Sequence, residues 1–173
     1  GDVMVRDVLR RDTIGQTWKF RMNFQWKPSE ALYGLGSHIE NFMNLRGKEL
    51  YLCQHNLKAM VPVLNSAAGY GLLFYAGFAM VFEDNEKGSY VELEAAKQID
   101  YYFMKGRTMD AVVANYRLLT GDSPMMPLYL FGYIQSKERY VSSDDLINTL
   151  KEYRMRHIPI DMIVQDWNYW PDN

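Results

Sequence analysis

The chain has 173 residues, of which 48% are hydrophobic and 23% charged, and its formal net charge is −2. This composition excludes a low-complexity disordered chain, and the lack of a basic excess removes the electrostatic basis for nucleic-acid binding. No apolar run approaches the roughly 20 residues of a membrane-spanning helix. The sequence therefore predicts a soluble globular protein and leaves its location open between the cytoplasm, the periplasm and secretion.

Cys53 is the single cysteine, so the chain cannot form an internal disulfide. His38, His55 and His157 stand far apart and show neither a zinc-site spacing nor a Ser-His-Asp or Cys-His arrangement. We therefore predict no metal and no cofactor. A lone histidine is more often structural than catalytic, and we expect this of all three.

The first part of the chain, residues 12–103, has the pattern of short strands separated by turns. Larger apolar and polar residues alternate between Trp18 and Trp26, as expected of a half-buried strand. Two hairpins are predicted farther on, with turns at residues 67–69 and 84–88. Regularly spaced strands of this kind indicate an antiparallel β-sandwich, which we assign to residues 1–106.

Gly34 and Gly36 stand two residues apart in "ALYGLGS". This spacing predicts a tight backbone turn. The stretch is too short for a phosphate-binding loop, and no helix is predicted after it.

The pattern becomes helical in "TMDAVVANYRLLTG", where apolar residues recur at intervals of three and four. Thr108 is a suitable N-cap, and Gly121 stands just past the predicted helix end. Residues 107–127 are therefore assigned as a helical linker, which ends in the proline-stiffened stretch "DSPMMP".

Residues 128–173 have the pattern of a strand, a helix and a strand. The run "LYLFGYIQ" predicts the first strand, "SSDDLINTLKEYRMRH" a helix capped by Ser142 or Ser143, and "IPIDMIVQDW" the second strand. Apolar strands on both sides of a helix are typical of a parallel βαβ unit. We interpret it as the truncated start of a (β/α)8 barrel, which needs roughly 250 residues in all. A small three-layer fold closed by the sandwich is the alternative.

Candidate site residues follow from this assignment, because barrels bind ligands beyond the carboxyl ends of their strands. Asp166 stands at that end of the second strand, whereas Asp161 stands at its start and is expected on the side that serves stability. Trp167 and Trp170 follow Asp166 and would stack on a sugar ring or pack their own loop. Tyr140, in the loop after the first strand, is the fourth candidate.

Several segments, in this order, resemble glycoside hydrolase family 31, the family of α-glucosidases and α-xylosidases. They are "YGLGSHIENFMNLRGKELYLCQHN", "AMVPVLNSAAGYGLLF", "DYYFMKG", "VVANYRLLTGDSPMMPLYLFGYIQSKERY" and "YRMRHIPIDMIVQDWNYW". Ser37 stands where many members have glutamate, and Val63 where phenylalanine is expected, which leaves the substrate subtype open.

The resemblance implies a retaining α-glycoside hydrolase whose nucleophile and acid lie on later barrel strands, so that no catalytic residue is expected in this chain. It also implies that Asp166 accepts hydrogen bonds from hydroxyls of the sugar in the −1 subsite. Tyr140, Trp167 and Trp170 would line the same subsite. The implied partner is an oligosaccharide or glycoside substrate, and the oligomeric state stays open.

The resemblance further implies that the loop of residues 41–47 shapes specificity, with Asn44 and Arg46 as contacts. A rival interpretation is a non-catalytic carbohydrate-binding β-sandwich. It explains the 14% aromatic content but not the βαβ unit.

Overall fold

The computed structural model describes residues 3–5, 11–12 and 17–168, which form two compact units, Gly1–Asp122 and Ser123–Asn173. The strands of the described residues are β1 (Val3–Val5), β2 (Arg11–Asp12), β3 (Thr17–Phe24), β4 (Leu32–Gly34), β5 (Glu49–Leu52), β6 (Val63–Ser66), β7 (Tyr70–Phe74), β8 (Met80–Asn85), β9 (Gly88–Ala96), β10 (Tyr101–Lys105), β11 (Ile134–Lys137) and β12 (Met162–Gln165). The α-helices are α1 (Met109–Thr120) and α2 (Ser143–Met155).

The described part of the first unit contains two antiparallel sheets and α1. One sheet has the strand order β1-β3-β9-β8-β5, with β2 also paired to β3, and the other has the order β10-β7-β6-β4. The predicted hairpins are confirmed as β6–β7 and β8–β9. Strand β1 lies before residue 12, where no strand was predicted, because its three residues depend on pairing with β3 rather than on a pattern of their own.

One hydrophobic core draws on both sheets of the first unit. Phe82 and Val91 come from the six-stranded sheet and Leu72 and Phe74 from the four-stranded sheet, and all four side chains are fully buried. Alternating positions on each strand supply these side chains, as the period of two predicts. Burial of this shared apolar surface holds the two sheets together.

The predicted turn at Gly34 and Gly36 is confirmed. Both glycines have φ of +104°, and Leu35 between them has φ of +60° and is fully buried. The turn is held by the amide of Leu35, which donates to the carbonyl of Val63 at 2.8 Å. A side chain at position 36 would overlap the carbonyl oxygen of Ala59, so the backbone here requires glycine for space as well as for φ.

The helix α1 packs on the four-stranded sheet. Its N-cap is Thr108, whose hydroxyl accepts from the amide of Ala111 at 3.2 Å, and Gly121 follows its last residue with φ of 83°. Both ends agree with the sequence prediction. Val112 is fully buried against Met104 and Val63, which joins the helix to the first unit.

A cluster of ion pairs lies on the six-stranded sheet around the buried carboxylate of Glu92. The carboxylate contacts Lys19 Nζ at 2.5 Å and Arg21 Nη2 at 2.6 Å, and the Glu92 residue is 7% exposed. Burial by itself raises the pKa of Glu92, but the hydrogen bonds from Lys19 and Arg21 outweigh it and hold the pKa below its usual value.

The low pKa of Glu92 makes its contribution to stability dependent on pH. Because the folded pKa lies below the unfolded one, the contribution is complete above about pH 4.5 and is lost as the pH falls through the folded pKa. We expect Glu92→Gln to lower the free energy of unfolding by about 1–2 kcal/mol at pH 7. The difference should shrink as the pH is lowered toward 3, measured by urea unfolding of both proteins. A difference that stays constant with pH would contradict this assignment.

The second unit contains the predicted βαβ arrangement. Strands β11 and β12 pair in parallel, with Ile134 opposite Met162, and α2 connects them. Ser142 is the N-cap of α2, since its hydroxyl accepts from the amide of Asp145 at 3.1 Å. The parallel unit is therefore confirmed.

The position and character of the first strand were predicted wrongly. Leu128–Phe131 is a 3-10 helix in which the amide of Leu130 donates to the carbonyl of Pro127 at 3.0 Å, and the strand begins only at Ile134. Strand β11 is mostly exposed and not apolar on both sides. A short apolar run does not by itself distinguish a strand from a helical turn. Neither helix of the described ranges has the length and apolar character needed to cross a bilayer.

Candidate functional site

The carboxyl ends of β11 and β12 lie side by side in the second unit. Lys137 is opposite Gln165 at the end of the register, and one residue later the amide of Asp166 donates to the carbonyl of Lys137 at 3.2 Å. This bond holds the backbone of Asp166 just beyond β12, while the residue stays exposed. The carboxylate therefore lies at the edge where parallel sheets bind ligands.

Asp161 lies at the opposite end of β12, as predicted. Its Oδ2 accepts from the amide of Tyr133 at 3.1 Å, and its own amide donates to the carbonyl of Tyr133 at 3.0 Å. Tyr133 directly precedes β11, so this pair of bonds joins the starts of the two strands. The carboxylate of Asp161 thus serves the sheet itself.

Tyr140 lies in the loop between β11 and α2 and is 5% exposed. Its amide donates to Gln165 Oε1 at 2.9 Å, and Lys137 Nζ lies 5.1 Å from the centroid of its ring. Its hydroxyl is buried and has no hydrogen-bond partner in the described part of the chain. Buried polar groups are normally paired, so this hydroxyl retains capacity for a further partner.

The two tryptophans differ in what the structure describes. Trp167 directly follows Asp166 and is 55% exposed. Trp170 lies outside the described residues. The structure thus brings Asp166 and Trp167 together through the chain, and links Tyr140 to the same strand end through the side chain of Gln165.

The polar groups of Asn44 and Arg46 hold their own loop. Asn44 Oδ1 accepts from the amides of Leu32 and Arg46, at 3.1 and 3.2 Å. Arg46 Nε donates to Asp84 Oδ2 at 2.8 Å, and its Nη1 donates to the carbonyl of Glu30 at 2.8 Å. These contacts give both side chains a structural role in the first unit.

Glu30 adds a buried polar network beside this loop. Its carboxylate accepts from the hydroxyls of Ser66, at 2.6 Å, and Tyr70, and from the amide of Lys27 at 3.0 Å. Burial alone raises the pKa of Glu30, but these hydrogen bonds outweigh it and lower the pKa. The network therefore favours the charged form of the carboxylate and holds the segment that directly precedes β4.

Two residues of interest gave no signal in the sequence. One is Gln165, whose side chain links the loop of Tyr140 to β12. The other is His38, both of whose ring nitrogens are buried without a hydrogen-bond partner among the described residues. Its ring stacks on Phe42 at 6.2 Å between centroids, beside a cavity of about 300 Å³ that Tyr33 and Met43 also line. Only the folded loop brings these groups together, so spacing alone could not reveal them.

Comparison with known proteins gives a consistent result over both units. A family model described as "Glycosyl hydrolases family 31 TIM-barrel domain" matches residues 123–173. An α-xylosidase of Saccharolobus solfataricus is 38% identical over 165 residues, which cover 89% of this chain and 22% of that protein.

Solved structures match the chain as well. A family 31 α-xylosidase from a soil metagenome, complexed with xylose, aligns with a TM-score of 0.80 and 30% identity over 98% of this chain and 24% of that one. A family 31 dextranase of Flavobacterium johnsoniae, complexed with glucose, aligns with a TM-score of 0.70 and 25% identity over 92% of this chain and 21% of that one. The chain thus spans about a fifth to a quarter of the length of these relatives.

Proposed function

The chain belongs to glycoside hydrolase family 31, and from this premise we propose that the whole protein is a retaining hydrolase of α-linked glucosides, xylosides or related sugars. The observation that carries the proposal is the position of Asp166. It lies at the carboxyl end of β12, beside the end of β11, within the segment that the barrel model matches. An exposed carboxylate there is suited to hold a hydroxylated ligand.

We propose that residues 1–106 form the N-terminal β-sandwich, that residues 107–127 form a helical linker, and that residues 128–173 begin a (β/α)8 barrel. The shared core of the two antiparallel sheets supports the first assignment. The parallel pairing of β11 with β12 around α2 supports the last, because this is the repeating unit of such a barrel.

The chain contributes one wall of the −1 sugar subsite in this proposal. The carboxylate of Asp166 accepts hydrogen bonds from sugar hydroxyls, which replace the water that it loses when the sugar binds. Trp167 and Trp170 follow Asp166 in the chain, and stacking of their rings on the sugar is part of the proposal. The buried hydroxyl of Tyr140 keeps its hydrogen-bonding capacity for the same subsite.

Chemistry in this proposal is carried out by carboxyl groups on other barrel strands. One carboxylate attacks the anomeric carbon while a carboxylic acid protonates the departing glycosidic oxygen, and the two groups lie about 5–5.5 Å apart in retaining enzymes. Water then displaces the enzyme from the anomeric carbon. No residue of this chain is assigned either role.

Retention of configuration at the anomeric carbon is the direct test of this mechanism. When the full-length protein hydrolyses an aryl α-xyloside or α-glucoside, we expect the α-anomer of the free sugar to appear first in ¹H NMR spectra, before mutarotation. Two displacements at one carbon restore the original configuration. Initial release of the β-anomer would rule out a retaining mechanism.

A non-catalytic carbohydrate-binding protein is the second candidate function. The cavity beside His38 and Phe42 in the first unit favours it, since an aromatic ring and imidazole nitrogens that lack a partner within the described ranges suit a sugar. This candidate predicts that the full-length protein binds α-glycosides without releasing product. Turnover that is lost in Asp166→Asn would exclude it.

A further inference from the structure

We propose that Gln165 is a positioning residue that ties the loop between β11 and α2 to the end of β12 and so orients Tyr140 beside Asp166. The inference rests on the proposed function, because it assigns Gln165 a part in shaping the same sugar subsite. It starts from one contact, in which the amide of Tyr140 donates to Gln165 Oε1 at 2.9 Å.

The loop in question, residues 138–142, is anchored on two sides. On the helix side, the amide of Val141 donates to Asp145 Oδ2 at 3.1 Å, and the same carboxylate oxygen lies 3.8 Å from Lys137 Nζ. On the strand side, the amide of Tyr140 meets the side chain of Gln165. Asp145 holds the loop to its own helix, so the strand-side position of Tyr140 depends on Gln165.

Gln165 and Asp166 are adjacent in the chain, yet they fix the neighbouring strand end in different ways. Asp166 uses its backbone amide to reach the carbonyl of Lys137, which leaves its carboxylate exposed. Gln165 uses its side chain to reach past the strand end to Tyr140. In this proposal the two bonds together set the spacing between the carboxylate of Asp166, just beyond β12, and the side chain of Tyr140, in the loop after β11.

The burial of Tyr140 makes the spacing between Tyr140 and Asp166 sensitive to Gln165. A side chain that is 5% exposed cannot adjust freely, and its hydroxyl, which has no partner among residues 17–168, is carried along when the backbone of the loop moves. Small displacements of a substrate-contacting group lower the rate steeply, because the transition state tolerates little change in geometry. Loss of the Gln165 acceptor should therefore reduce turnover even though Gln165 need not touch the sugar.

The test uses the full-length protein and two variants at position 165. Gln165→Met has nearly the same length but lacks the acceptor oxygen, and Gln165→Glu keeps an acceptor. A matched control is Gln135→Met, because Gln135 Oε1 accepts from the hydroxyls of Tyr133, at 2.5 Å, and Tyr153, at 2.8 Å, at the other end of the same sheet. Hydrogen exchange of peptides covering residues 138–142 reports the loop, and kcat and KM are measured with an aryl α-glycoside.

We expect Gln165→Met to speed exchange in the 138–142 peptides about tenfold and to lower kcat/KM about 5- to 20-fold, mainly through kcat. Gln165→Glu should retain protection and stay within about threefold of the parent, and Gln135→Met should leave both readouts unchanged. Unchanged protection in Gln165→Met overturns the inference, as does lost protection with kcat/KM unchanged. Equal loss in Gln165→Glu overturns it too, because the acceptor would then not matter. If Gln165→Met does not fold, Gln165→Ser is judged by the same criteria.

Failure of this inference is distinguishable from failure of the proposed function. If Asp166→Asn leaves kcat/KM unchanged, the proposed subsite itself is wrong whatever Gln165 does. If Asp166→Asn is strongly impaired while Gln165→Met loses protection but not turnover, the subsite stands and only the positioning role of Gln165 falls.

Discussion

Replacing Asp166 with asparagine in the full-length protein is expected to lower kcat/KM roughly 30- to 1,000-fold, which corresponds to a loss of about 2–4 kcal/mol of transition-state stabilisation. The reason is that the carboxylate would lose its charge, and charge-assisted hydrogen bonds to sugar hydroxyls are stronger than neutral ones. The melting temperature should change little, because the residue is exposed and its structural bond uses the backbone amide. Initial rates with an aryl α-glycoside and a thermal melt measure both quantities.

Asp161→Asn is the matched control for this prediction, since it makes the same chemical change at the other end of β12. The asparagine oxygen still accepts from the amide of Tyr133, so we expect a small loss of stability and kcat/KM within about twofold of the parent. A change in kcat/KM below threefold in Asp166→Asn would contradict the assignment. Equal losses in the two variants would indicate a general effect on the sheet rather than on a sugar subsite.

Gly36→Ala is expected to destabilise the first unit by about 2–4 kcal/mol. Position 36 has φ of +104°, which an alanine adopts only under strain, and the added Cβ would overlap the carbonyl oxygen of Ala59. That carbonyl accepts from the amide of Ser37 at 2.8 Å, so relief of the overlap would also disturb this bond. Urea unfolding followed by circular dichroism measures the loss.

Gly77→Ala is the control for the turn. Position 77 is exposed, its φ is not positive, and a Cβ there would meet no atom within 4 Å. The free energy of unfolding should change by less than about 0.5 kcal/mol or rise slightly, because alanine restricts the unfolded chain more than glycine does. If the two alanine variants are equally stable, the turn does not require glycine at position 36.

Features of the fold that depend on local sequence were predictable. Thr108 and Gly121 mark the ends of α1 because a hydroxyl that caps an amide and a residue with positive φ act within one helical turn. The hairpins β6–β7 and β8–β9 follow from apolar runs on either side of a turn. The end of β12 at which Asp161 lies followed from strand direction alone.

Features that depend on pairing with distant residues were not predictable. The apolar run Leu128–Phe131 has the composition of a strand, but its hydrogen bonds close as a 3-10 helix, and the parallel pairing starts at Ile134. Strands β1 and β2 exist through their pairing with β3. Neither the start of β11 nor the presence of β1 and β2 can be read from a short window, because the strand that pairs with each lies elsewhere in the chain.

The sequence by itself indicated the antiparallel strands, the capped helices, the parallel βαβ unit, the family and the position of Asp166 at the carboxyl end of β12. The elements and the end of β12 at which each aspartate lies follow from periodicity, capping and strand direction, which act over a few residues, whereas the family follows from the resemblance of whole segments in order. Only the tertiary structure decided that Arg46 is bound to Asp84, that the Tyr140 hydroxyl is buried without a partner in the described part of the chain, and that Gln165 accepts from the amide of Tyr140. These contacts join residues 25 or more positions apart, and a side chain's choice between such partners depends on the packed geometry around it.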